Sequence, residues 1–202
     1  DGHATSKPVP PHPNMLSQLS DTADTLELWI KVQLLWQSLE SVFTGGDIMK
    51  QMPLEAKKFS KIDKDWNKAM SKAEDTLNVV ACCSNELLKN SLPIMYAELE
   101  KCQKSLEGYL EQKRSSFPRF YFVSNSVLLQ ILSRGSDYNE VQPYYEKLFD
   151  SVACAVHEDS KGSSSIIGFQ GISGSDVEEI KLLKPVHVQG NIETWLCKLE
   201  KA

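Results

Sequence analysis

The sequence predicts a mainly α-helical protein, an elongated bundle of amphipathic helices with a small β-hairpin near the C-terminus. Three observations predict it. Apolar residues recur at steps of three and four through most of the chain, as one face of a helix requires. Proline and paired glycine fall at the ends of those runs rather than inside them. Only the last fifty or so residues turn to β-branched segments separated by glycine.

The elements follow in order. Residues 1–22 read as a Pro-rich flexible arm, because Pro8, Pro10, Pro11 and Pro13 stand among small polar residues that cannot form a core. Asp24 and Glu27 make a capping box for the clearest helix, along which Leu28, Trp29, Val32, Leu35, Trp36, Leu39, Val42 and Phe43 share a face. Gly45 and Gly46 end it as a C-cap and are also candidates for a point of flexure. Pro53 starts a second long helix with Phe59, Ile62, Trp66, Ala69 and Ala73 on one face and Lys57, Lys58, Lys61, Lys64 and Lys68 on the solvated side. Residues 77–88 suggest a shorter helix, and Pro93 opens a third long one through Met95, Leu99, Cys102, Leu106 and Tyr109. Residues 24–114 thus form a first helical half, and residues 115–202 hold the remainder.

That remainder begins with Phe117-Pro118-Arg119-Phe120-Tyr121-Phe122-Val123. Three Phe and a Tyr within seven residues cannot all face water at neutral cost. Pro118 disfavours the α region for Phe117, so the stretch reads as a buried, extended connector. Ser124 to Ser126 can cap a short helix over 127–132, and residues 140–149 give another. Residues 166–168 and 177–188 read as the two strands of the hairpin. Asn191 starts a terminal helix through Ile192, Trp195, Leu196 and Leu199. Its apolar pattern runs to the last residues, as expected of a piece of a longer chain.

Composition excludes several classes. The net charge of −5 argues against a general electrostatic footprint for nucleic acid. No run approaches the roughly eighteen apolar residues of a membrane-spanning helix, and no signal-peptide core is evident, so an intracellular protein is expected. The five cysteines lack C-x-x-C spacing, and the four histidines are scattered singly, which favours reduced core thiols over a disulfide framework or a metal site. No glycine is followed by lysine, so the phosphate-cradling loop is absent. Gly168, Gly171 and Gly174 fail the dinucleotide fingerprint, and Ser175 fails the nucleophile elbow around Ser173. No catalytic, cofactor or metal site is expected.

Several motifs in a fixed order carry a resemblance. They are Trp29-Ile-Lys-Val-Gln-Leu-Leu-Trp36, Leu39 to Ile48, Glu55-Ala-Lys-Lys-Phe59, Ile62-Asp-Lys-Asp-Trp66, Cys102 to Leu106, Tyr109 to Arg114, the aromatic connector, Pro185-Val186, and Gly190-Asn-Ile-Glu-Thr-Trp-Leu196. Over residues 24–201 the chain resembles the linker region of dynein heavy chains, most closely axonemal outer-arm chains of the gamma type. Two features depart from the family pattern: Val177 stands where an acidic-Gly-Glu turn is common, and the Pro-rich arm has no counterpart.

The resemblance implies a mechanical lever without catalysis of its own. Its partners would be the AAA+ ring of the same heavy chain, other dynein subunits and, through the motor, the microtubule, with no nucleic acid and no membrane. ATP and Mg would be bound by the ring modules. The location would be the cytoplasm and cytoskeleton, in a ciliary or flagellar axoneme. Structural anchors would be Phe117, Pro118, Arg119, Phe120, Tyr121 and Phe122 with Trp29, Trp36, Trp66 and Trp195. A self-contained or truncated helical adaptor that binds partner proteins is the alternative the residues leave open.

Overall fold

The structure, a computed structural model, describes residues 13–44, 47–134, 138–160, 163–173 and 176–202. It is mainly helical, with a small antiparallel sheet near the C-terminus. Two compact units are present, one of Asp1–Glu40 with Lys58–Lys101 and one of Ser41–Lys57 with Cys102–Ala202.

Helix α1 (Pro13–Phe43), which lies in the first unit up to Glu40, starts eleven residues before Asp24, so residues 13–22 are helical and Asp24 is not a cap. Pro13 sits at the first position, where its missing N–H has no intrahelical partner to lose. The buried Thr22 and Thr25 keep the helix by donating their hydroxyls to the carbonyls of Gln18 and Asp21, at 2.7 and 2.8 Å. Residues 1–12, and Gly45 with Gly46, lie outside the described residues. Pro53 does begin α3 (Pro53–Glu74), after a short α2 (Asp47–Gln51) that the sequence pattern did not reveal.

Residues 77–88 hold the short α4 (Val79–Cys83), capped by Asn78 accepting from the Ala81 N–H at 3.0 Å, and the first residues of the next helix. The third long helix, α5 (Glu86–Ser116), starts seven residues ahead of Pro93, which lies inside it. Asn85 explains the earlier start: its Oδ1 accepts from the N–H groups of Leu87 and Leu88 at 2.9 and 3.2 Å. Buried Leu88, Leu92, Met95 and Leu99 then hold the helix in register across the proline. The unit's core adds Val32, Leu39, Phe59, Ile62 and Trp66.

The second unit contains α6 (Asn125–Ser133), capped by Ser124 as the sequence suggested. The single helix expected over 140–149 is instead α7 (Tyr138–Val141), a 3-10 turn (Gln142–Tyr144) and α8 (Tyr145–Leu148), because Pro143 cannot donate an interior helix bond. The expected two-stranded hairpin is a three-stranded antiparallel sheet: β1 (Cys154–Ser160), β2 (Ser163–Ser173) and β3 (Asp176–His187), in that order. The first strand eluded the pattern because among its described side chains only Ala155 is fully buried. Its backbone is held from the side by Gln142, whose amide donates to the Ala155 carbonyl at 2.8 Å and accepts from the Ala155 N–H at 3.0 Å. The chain closes with α9 (Ile192–Leu199), preceded by Gly190 at φ +81° and Asn191.

Register shifts flank Gly168, which pairs with both Val156 and Lys181. A Cβ there would stand 2.7 Å from the Ile180 carbonyl oxygen, so the strands approach this closely only because the residue is glycine. Gly168→Ala is expected to destabilise the chain by about 1–3 kcal/mol, read as a shifted urea midpoint.

Beside that bulge, His157 is half-buried on β1, and burial holds its imidazole below the ordinary value, with Asp159 opposing. The unfolded chain therefore takes up this proton first as pH falls. Stability is intact above about pH 6.5 and declines below it, where the unfolded histidine is protonated and the folded one is not. Thermal melts at about pH 7.5 and 5.5 are expected to show this loss, and His157→Gln to reduce it.

Candidate functional site

The aromatic connector is bonded to several elements of the second unit. It is not extended: Pro118–Phe122 forms a 3-10 helix between extended residues Phe117 and Val123. Pro118 is preorganised for a first helical turn, and the Phe120 N–H donates to the Phe117 carbonyl at 3.0 Å. Three residues per turn place Phe117, Phe120 and Val123 on one face, and all three are buried. The same period turns Tyr121 and Phe122 outward, 55% and 76% exposed, which corrects the expectation of a wholly buried cluster.

Phe117 meets Phe120 edge-on at 5.0 Å and Phe149, at the end of α8, at 6.4 Å. Phe149 in turn contacts Phe169 of β2 at 5.6 Å, and Tyr145 of α8 lies against both Phe149 and Phe169. Burial pushes the Tyr145 phenol far above its ordinary value, so it stays neutral at any physiological pH. Aromatic contact thus runs from the connector to the sheet, through residues the sequence analysis did not select. Phe149 and Tyr145 gave no separate signal, since the sequence alone does not fold residue 149 back onto residue 117.

Two arginines fix the polar side. Arg114, near the end of α5, donates through Nε to the Phe120 carbonyl at 3.3 Å and through Nη2 to the Val123 carbonyl at 3.1 Å. Arg119, within the turn, donates to Glu200 Oε1 at 2.7 Å and to the Leu148 carbonyl at 3.2 Å, with its guanidinium 4.9 Å from the Phe149 ring centre. Lys113 and Glu193 form a further, largely buried ion pair at 2.5 Å between α5 and α9. Glu193 belongs to the Gly190 to Leu196 motif, but its partner eighty residues away was not legible.

The tryptophans divide between the units. Trp195 is fully buried beside Leu196 on α9. In the first unit, Trp66 is buried and Trp36 and Trp29 are half-buried. Trp36 stacks at 5.8 Å on Trp66, and its indole N–H donates to Asp63 at 3.0 Å. All five cysteines are free thiols, three of them buried. Among the described residues, no cluster of metal-ligating side chains occurs and no helix is long and apolar enough to cross a membrane.

Helix end, 3-10 turn, short helix and sheet here converge on one packed joint, which defines a structural class of protein segment: a helical framework with rings and arginines at its junction. The chain belongs to the dynein heavy chain family. Its residues 13–202 match the family described as dynein heavy chain, N-terminal region 2, a match that opens with the first residue of α1. Over 187 residues it is 46% identical to dynein axonemal heavy chain 5 of Rattus norvegicus, covering 92% of this chain and 5% of that one. Dynein axonemal heavy chain 8 of Mus musculus is 44% identical over 191 residues, 93% of this chain and 4% of the relative. The dynein gamma chain of the flagellar outer arm of Chlamydomonas reinhardtii is 42% identical over 186 residues, 90% and 4% respectively. The chain therefore spans only 4 to 5% of the length of these relatives.

Phe120 and Phe122 separate packing from composition. Phe120→Ala is expected to cost about 3–5 kcal/mol as a buried ring is lost. Phe122→Ala is expected to stay within about 0.5 kcal/mol. Urea unfolding of both variants checks the contrast.

Proposed function

We propose that this chain is part of the linker of an axonemal dynein heavy chain, a lever that couples changes in an AAA+ ring to movement along a microtubule. The joint around Phe117 and Phe120 carries the reading: aromatic packing, two arginine clamps and a buried ion pair make it resist bending better than apolar contact alone. Family membership supplies the motor context. Phe117, Pro118, Arg119 and Phe120 act as anchors together with Trp195, while Trp29, Trp36 and Trp66 do so in the first unit. Tyr121 and Phe122 face outward. In this reading ATP and Mg act at ring modules elsewhere in the heavy chain, and this segment transmits rather than catalyses. Ring, dynein subunits and microtubule are its partners, and the ciliary or flagellar axoneme is its place.

The test is made in a full-length heavy chain carrying this sequence. Phe120→Leu keeps an apolar side chain but removes the edge-on contact with Phe117. Microtubule gliding is expected to slow by several-fold while ATP turnover persists, the signature of lost coupling. Unchanged gliding with a confirmed drop in thermal stability would reject the lever role of the joint. A native polypeptide near 22.7 kDa, rather than several hundred kilodaltons, would replace the lever with a free-standing adaptor.

A further inference from the structure

Within the first unit, α3 and α5 leave a groove of about 300 Å³ between them, lined by Asp65, Lys68, Ala69, Lys72, Leu87, Ser91, Ile94 and Met95. Its composition is not that of a solvated surface. Leu87 and Ile94, seven residues apart on α5, are 70% and 65% exposed, although each is a large aliphatic side chain. Between them stands Ser91, and across the groove stands Ala69, so the centre is hollow because both helices carry small residues there.

The spacing on both walls is that of helices prepared for a third. Leu87, Ser91 and Ile94 follow steps of four and three, and so do Asp65, Ala69 and Lys72. Such steps present a continuous seam to a neighbouring helix, whose side chains enter the holes between four residues. An extended peptide, with side chains alternating to opposite sides, would fill the hollow with only every second residue.

Charge selects the occupant further. Lys68 and Lys72 line the groove, and at about 100° per residue Lys64 falls with them within about 80° of the α3 circumference. All three are exposed, and among the described residues none joins an ion pair. A cationic rim over an apolar floor, on a chain of net charge −5, is locally complementary to acidic side chains. Asp65 stands on the same wall and sets one limit of the basic stretch.

We infer that this groove is a docking site for an amphipathic helix of a separate polypeptide, with aliphatic residues facing Leu87, Ile94 and Ala69 and glutamate or aspartate facing Lys68 and Lys72. The concave floor favours a helix over a lipid surface, which meets convex apolar ridges. The groove belongs to the first unit and the joint to the second, and the inference does not depend on the lever reading.

The experiment uses the 202-residue chain and a fluorescent two-heptad helical peptide with Leu at the seam positions and Glu on both flanks. Binding is expected, weakening between about 50 and 300 mM salt. A Lys-for-Glu peptide and a Ser-for-Leu peptide are each expected to bind at least about tenfold more weakly. The double variant Lys68→Glu, Lys72→Glu is expected to reverse the charge preference, and Ile94→Ser to weaken both peptides. All three positions are exposed, and circular dichroism confirms that the fold is kept. Equal binding of the Glu and Lys peptides, or no effect of the charge reversal, overturns the proposal. So does equal binding of a polyglutamate that forms no helix, or binding of anionic phospholipid vesicles in place of the peptide. Concentration-dependent dimerisation abolished by Ile94→Ser would assign the groove to a second copy and overturn it equally.

Discussion

The buried pair of Phe117 and Phe120 is the constraint on which the second unit depends. A helix that ends at Ser116 must hand the chain to α6, and the handover contains a proline that forbids simple continuation. The 3-10 turn resolves this. It tolerates Pro118 at its start, and its three-residue period delivers two phenylalanines to one side. With those rings in place, Phe149 and Phe169 have a surface to pack on, and α8 and β2 are drawn to the same core.

Much of this was legible beforehand. The helical periodicity of α1 and α3, the start at Pro53, the Ser124 cap and α9 all follow from local rules that the structure obeys. The failures are also local rules, outvoted. Pro93 looked like a helix start because proline favours that position, but Asn85 caps the helix earlier and four buried side chains carry it through. Phe117 to Val123 looked extended because aromatic composition favours strands. A five-residue 3-10 helix is too short for its period to stand out from the sequence. The first strand of the sheet has almost no burial signal of its own and takes its order from β2 and Gln142.

Long-range polar pairs were the least legible. Lys113 is one of many lysines and Glu193 one of many glutamates, and nothing within ten residues of either marks it as buried. Folding brings them together because α5 and α9 both bury apolar faces in the same unit, leaving little room for solvent around the ends of the two side chains. The same logic in reverse makes the α3 and α5 groove conspicuous. Leu87 and Ile94 follow the spacing of buried residues yet remain uncovered, and only the folded arrangement reveals the difference.

Rings alone would not fix the orientation of this joint. Apolar burial is non-directional, so phenylalanines could slide past one another at small cost while remaining out of water. Arg114 and Arg119 remove that freedom. Each guanidinium is a planar fork whose N–H groups reach two separate acceptors, so movement of one acceptor breaks geometry at the other. Arg119 further lies over Phe149, tying the direction of the ionic contact to the position of the ring. Lysine could supply the charge at either place but not the fork. Hydrophobic burial therefore sets how strongly the joint holds, and the arginines set in which orientation it holds.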